Sequence, residues 1–201
     1  MDKSVEIDNI TNINKQCIVE LQYFVGNSDE VIVKELTILD LTTNVTWYFL
    51  FKPPYSFKSL NGKAARTNKW LINNFHYIAW NEGYVEYTAL ENIVKHYCSK
   101  FSTIYTTGLK KCEWLRQYTS AVVNMFPLRK SQKCNITYGF CLSIQDTRHA
   151  ATNCALVKTY RILTAMGEKN LKNGGGEGYI SDTEPMTMHE YHSNLRGEHT
   201  V

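Results

Sequence analysis

Proline is scarce in this 201-residue chain, 4 in all, and two of those are the adjacent Pro53 and Pro54. A proline-rich linker or polyproline array is thereby excluded. The six cysteines, at positions 17, 98, 112, 134, 141 and 154, form no Cys-x-x-Cys pair, so the usual zinc-ribbon and dithiol signatures are missing. No apolar run reaches the roughly 18 residues of a membrane span, and no membrane contact is expected. Residues 1–8 are charged and polar where a secretory leader carries an apolar core. The expectation is an intracellular protein, cytoplasmic or nuclear, with reduced thiols. Sequons at Asn9, Asn44 and Asn135 then carry no meaning. Charge of one sign is not in large excess either. Against 22 Lys and Arg stand 19 Asp and Glu, a formal net charge of +3, which permits a nucleic-acid partner without demanding one.

What is present is a core. Hydrophobic residues make up 43% and aromatics 12%, enough for one globular domain. Residues 1–15 read as a frayed, flexible N-terminus, 16–166 as the domain, and 167–201, with its Gly174-Gly-Gly-Glu-Gly178 run, as a flexible tail. Strands are expected over 17–25, 31–39 and 46–51, separated by turns at Gly26-Asn-Ser-Asp29 and Leu41-Thr-Thr-Asn44. Pro53-Pro54 ends the third. Helices are expected over about 64–75, 87–100, 110–118 and 150–166, with a short strand over 103–107 and a mixed segment over 119–140. Period-two alternation sets Val31, Val33, Glu35, Thr37 and Leu39 on one face of the second strand, a carboxylate aligned with apolar neighbours.

The densest chemistry lies in Ile144-Gln-Asp146-Thr-Arg-His149-Ala-Ala-Thr-Asn-Cys154, with Cys141 just upstream. His and Cys five residues apart are soft ligands suited to zinc. Equally, free cysteine is a common buried filler.

A three-stranded antiparallel meander running into alternating helix and strand resembles the RNase H-like layout, an α/β fold whose mixed sheet is flanked by helices. Within that layout the chain resembles the DEDDh exonucleases, which hold two divalent cations on four carboxylates. The resemblance implies a first-strand acid pair, here Glu20-Leu-Gln22. It implies an Asp where Lys111 stands in Gly108-Leu-Lys110-Lys111, and a His with an Asp five residues on, here His149 and Cys154. Three of the four acids are replaced, so catalysis is not expected. If activity persists, Glu20, Glu35 and His149 would carry it with magnesium or manganese.

The replacement of acid by thiol is similar to the Maelstrom domain, a degenerate exonuclease-like fold of the small-RNA pathway that carries a Glu, Cys, His, Cys zinc set. The matching pieces are Val33-Lys-Glu35-Leu, Phe49-Leu-Phe-Lys-Pro53, Asn74-Phe-His76-Tyr-Ile78, His149 and Cys154. This implies zinc on Glu35, His149 and Cys154, with either Asp146, at the position of the first Cys, or Cys141 as fourth ligand. The chain is also similar to a group of arthropod and insect-virus or mobile-element proteins. Here the pieces are Lys34-Glu-Leu36, Phe51-Lys-Pro-Pro-Tyr55, Trp70-Leu71 with His76-Tyr-Ile-Ala-Trp80, Gly108-Leu-Lys-Lys111 and Asn153-Cys-Ala-Leu156.

Basic and aromatic residues interleave after the third strand: Lys52, Tyr55, Lys58, Lys63, Arg66 and Lys69, joined by Lys110 and Lys111. Such a set can follow a phosphate backbone and stack bases. The expected function is a catalytically degenerate exonuclease-like domain that binds RNA or single-stranded nucleic acid, with a structural zinc. The alternatives are a residual metal-dependent nuclease and a virus- or mobile-element-associated scaffold for a protein partner.

Overall fold

The computed structural model describes residues 15–125 and 153–173. Three of the expected zinc ligands, Cys141, Asp146 and His149, lie outside the described residues, as do the two terminal segments expected to be flexible, save Lys15 and residues 167–173. By its internal contacts the chain forms two compact units, residues 1–166 and 167–201.

The chain begins with a meander: β1 (Gln16–Val25), β2 (Val31–Asp40) and β3 (Thr46–Leu50). Turn chemistry explains both hairpins. Asp29 and Asn44 take left-handed backbone, φ 61° and 57°, the conformation that Asp and Asn tolerate best after glycine. In the second hairpin Asp40 Oδ1 accepts from the Thr42 amide at 2.7 Å, an Asx-type turn. Helix α1 (Gly62–Asn74) is opened by Asn61, whose side chain accepts from the Ala64 amide at 2.9 Å. Then come α2 (Leu90–Cys98), β4 (Thr103–Thr106), α3 (Leu109–Leu115), β5 (Val122–Asn124) and α4 (Ala155–Asn173).

The strands form one five-stranded mixed sheet in the order β3-β2-β1-β4-β5. The meander is antiparallel, and β4 and β5 run parallel to β1. The class is α/β. Among the described residues, β5 is the one strand not expected from the sequence, and it falls inside the mixed segment.

Each face of the sheet has its own cover. Cys17, Val19 and Leu21 of β1, with Leu36 and Ile38 of β2, pack against Leu90, Val94 and Cys98 of α2 and Cys112, Trp114 and Leu115 of α3. On the other face Ile18 and Leu39 meet Ile162 of α4. Further along that face Phe24 and Ile32 pack on Trp80, with Leu71 and Ile72 of α1 alongside. Asn68, fully buried in α1, docks the helix to the end of β1 like an added strand. Its Oδ1 accepts from the Val25 amide at 2.9 Å and its Nδ2 donates to the Val25 carbonyl at 2.8 Å.

The expected alternation along β2 needs correction. Gln22 pairs with Glu35 but Tyr23 pairs with Val33, so Lys34 is an extra residue, a β-bulge. The bulge inverts the parity. Glu35, Thr37 and Leu39 share one face, while Val33 joins the opposite core with Leu36 and Ile38. Lys34 itself is buried, its ammonium donating to the carbonyls of Phe51 (2.8 Å), Trp80 (2.7 Å) and Glu82. Burial pushes its pKa down to about 7, partly opposed by the Glu82 carboxylate. The loop that supplies two of these carbonyls depends on Gly83, at φ +132°, where a Cβ would lie 2.4 Å from the Phe51 oxygen.

Candidate functional site

The α4 face of the sheet should be apolar, but its middle is not. Glu20 and Gln22 of β1 and Glu35 and Thr37 of β2 are all buried there. Glu20 is paired across the strands with Thr37, and Gln22 with Glu35. Directly paired side chains start about 5 Å apart and diagonal ones roughly 7–8 Å. Glu20 and Glu35 are such a diagonal pair, so two buried carboxylates share one small patch. A buried carboxylate is tolerated only when paired or hydrogen-bonded, and each has its own solution.

Glu20 is satisfied from the β4–α3 junction. Its Oε1 accepts from the Thr107 amide at 2.8 Å and from the Thr106 and Thr107 hydroxyls. Its Oε2 takes an ion pair from Lys111, whose side chain is 12% exposed. Gly108, at φ 89°, turns the chain from β4 into α3 and donates its amide to Asn124 Oδ1 at 3.0 Å. Lys111 follows one turn later.

Glu35 is satisfied from the start of α4. Its Oε2 accepts from the Ala155 amide at 2.8 Å and its Oε1 from the Cys154 thiol at 3.3 Å. A carboxylate at a helix N-terminus meets unpaired amides and the positive end of the dipole. The preceding Asn153 completes the clasp: its backbone carbonyl accepts from Gln22 Nε2, and its side-chain Nδ2 donates to the Phe75 carbonyl at 2.7 Å. Asn153 thus bonds both to β1 and to the residue after α1, while Cys154 and Ala155 both bond to β2. One turn into α4, Lys158 lies over the Phe75 ring, 5.2 Å from its centroid. Its pKa is pushed down to about 8 by burial and by Lys111, while Glu20 and Glu35 pull the other way. Two carboxylates and two ammonium groups therefore occupy one buried neighbourhood.

Among the expected zinc ligands, Glu35 and Cys154 are brought into contact. Carboxylate and thiol side by side suit zinc, with Glu35 Oε1 and Cys154 Sγ as the donors. His149, Cys141 and Asp146 lie outside the described residues. Among the described residues, no group of three or more His, Cys, Asp and Glu side chains converges as a metal site. His76 is buried, with Nδ1 accepting from the Ile78 amide at 3.1 Å and its ring edge-on to Phe24. Of the residues expected to act if catalysis persists, Glu20 and Glu35 share the patch, each already bonded as described.

The expected nucleic-acid contacts divide. Lys111 is spent on Glu20 and faces inward. Lys52 pairs with Glu86, Tyr55 reaches Glu30 at 3.5 Å, and Lys110 donates to the Asp29 carbonyl at 3.1 Å. Lys58, Arg66 and Lys69 are exposed, and so is Lys63, which pairs with Asp29 at 2.9 Å. On α1, Lys63, Arg66, Thr67, Trp70 and Asn74 recur at helical spacing on the exposed side. That helix has three cations and no carboxylate. Trp70, an aromatic interleaved with these cations in the sequence, is 56% exposed and stacked on Phe75, with ring centroids 6.1 Å apart. Its signal was an aromatic at the i+4 position from Arg66.

No family model matches the chain, and no curated protein matches it significantly. Among the described residues no helix is long and apolar enough to cross a membrane.

Proposed function

We propose that the chain is a catalytically silent, RNase H/exonuclease-like domain that binds RNA or single-stranded nucleic acid along α1. The carrying observation is the exposed stripe of Lys63, Arg66 and Trp70, free of acidic neighbours on its own helix. Its cations suit a phosphate backbone and its indole offers a stacking surface for a base. The Lys63–Asp29 pair is solvent-exposed, and a pair of that kind is worth little and exchanges readily for a phosphate. Catalytic silence is supported by Lys111, which places a cation on a carboxylate that a two-metal site would need. The meander continued by parallel strands supports the RNase H-like reading of the sheet. Fluorescence anisotropy with labelled single-stranded RNA across a salt series tests the binding. Replacing Lys63, Arg66 and Lys69 by Ala should flatten the log–log salt slope by about 2, three contacts at roughly 0.7 each. A wild-type affinity indifferent to salt would overturn the proposal.

A second reading is favoured by the 3.3 Å contact between Cys154 and Glu35. Here the two would hold a structural zinc together with His149 and either Cys141 or Asp146, tying β2 to α4. Glu35 Oε2 could keep its bond to Ala155 while Oε1 faces the metal. Elemental analysis of purified protein tests it: one zinc per chain, lost in Cys154→Ser, is expected, and metal-free folded protein contradicts it.

A further inference from the structure

We infer that the buried polar patch under α4 is a cation site whose occupant is the Lys111 ammonium, a tethered substitute for a hard metal ion. Three observations carry this. Glu20 is fully buried, and its Oε2 is directed at Lys111 alone among the described residues, while Oε1 is held by the 106–107 backbone and hydroxyls. The geometry of that carboxylate is thus fixed without help from Lys111, and a cation position is left in front of Oε2. Second, the Thr37 hydroxyl, on the rung paired with Glu20, is buried and has no hydrogen-bond partner among the described residues. A buried hydroxyl oxygen in that state is an available hard ligand. Third, Gln22 lies on the same face between the two acids, adding an amide oxygen to the neighbourhood.

Carboxylate, hydroxyl and amide oxygens are the ligands of magnesium, manganese and calcium rather than of soft metals. An ammonium on a four-carbon stem can stand in a cation position as a point charge with three donors, and here it is bonded to Glu20 Oε2. Lys111 comes from the helix that packs on the opposite face of the sheet, and it reaches Glu20 only because Gly108 bends the chain around the end of β4. Occupancy is therefore intramolecular and permanent. The chain keeps the electrostatics of a metal-loaded sheet without depending on metal supply. Removing the ammonium while leaving the oxygens should uncover a divalent-cation site. This claim is independent of nucleic-acid binding along α1, and its test reads no nucleic acid.

The test compares wild type, Lys111→Met and the double variant Lys111→Met with Glu20→Gln, using thermal unfolding with and without manganese. Methionine keeps the apolar stem and removes the charge. Lys111→Met should gain roughly 5–10 °C in Tm at about 100-fold excess of manganese over its Kd. Wild type and the double variant should not respond, and manganese electron paramagnetic resonance should show a bound ion only in Lys111→Met. Should Lys111→Met be unfolded without metal, refolding on addition of manganese supports the site, and failure to refold overturns it. A folded Lys111→Met indifferent to manganese, or one whose response survives Glu20→Gln, overturns it as well.

Discussion

Lys111, at the start of α3, forms an ion pair with Glu20 in the middle of β1, across 91 residues of sequence. Glu20 is fully buried and the lysine side chain nearly so. Removing one partner of such a pair strands a charge, at a cost of about 3–5 kcal/mol, whereas removing both can be close to neutral. Lys111→Met should therefore lower stability by that amount in metal-free buffer. The double variant with Glu20→Gln should recover most of it. Urea unfolding monitored by circular dichroism measures this, with unchanged m-values marking a true stability effect.

At the other acid, Glu35→Gln leaves the shape intact but removes the charge that the α4 N-terminus faces. It also forces an amide donor toward either Ala155 N–H or the Cys154 thiol. The expected cost is about 1.5–3 kcal/mol. Hydrogen exchange should show the loss concentrated at the first turn of α4, and uniform loss across the sheet would contradict the local role.

Stability should rise with pH just above neutrality. Lys34 and Lys158 have folded-state pKa values lowered to about 7 and about 8, below the ordinary value of 10.5. Between the folded and ordinary values the unfolded chain binds more protons, so the slope of unfolding free energy against pH is positive. From about pH 9 an opposing contribution sets in. Burial raises the Cys17 thiol, and it pushes Cys98 to about 11 and Tyr87 to about 12, so the folded state then holds the extra protons. Stability should peak between about pH 9 and 10, where the thiols and Tyr87 offset the two lysines. Lys34→Met should flatten the rising limb, leaving the part due to Lys158. Urea midpoints across the pH range check both.

Gly83→Ala should destabilise by about 1–3 kcal/mol. The new methyl meets the Phe51 carbonyl in a backbone conformation that alanine avoids, and the same carbonyl accepts from Lys34. The effect should shrink in a Lys34→Met background, because the cradle is then already broken. Strict additivity would contradict that coupling.

Much of the fold could be read from local pattern, and the failures have physical causes. The meander follows from β-branched runs punctuated by Asp29 and Asn44, both of which adopt the expected turn conformation. The bulge at Lys34 was invisible, because a period-two pattern carries no mark of an inserted residue. The alternation set Val31 and Val33 on the face of Glu35, Thr37 and Leu39, whereas both valines belong to the opposite core. β5 is three residues long, too short for any periodicity to show. The contact of Glu35 with Cys154 was expected, since both had been singled out as ligands. The role of Lys111 was not: a lysine in a basic cluster reads as a phosphate contact, and only the sheet register reveals that Glu20 lies within its reach. Trp70 is an indole that hydrophobicity alone would bury, yet more than half of it is exposed.

The central claim is that the domain holds nucleic acid without cutting it. It is tested most directly by incubating end-labelled single-stranded RNA with stoichiometric protein in magnesium or manganese, and resolving the products on native and denaturing gels. The account predicts a salt-sensitive mobility shift that weakens when Trp70 is replaced by Ala, by about 1–3 kcal/mol for a lost stacked base, with the RNA intact on the denaturing gel. Cleavage that disappears in Glu20→Gln, or the absence of any shift at low salt, would contradict it.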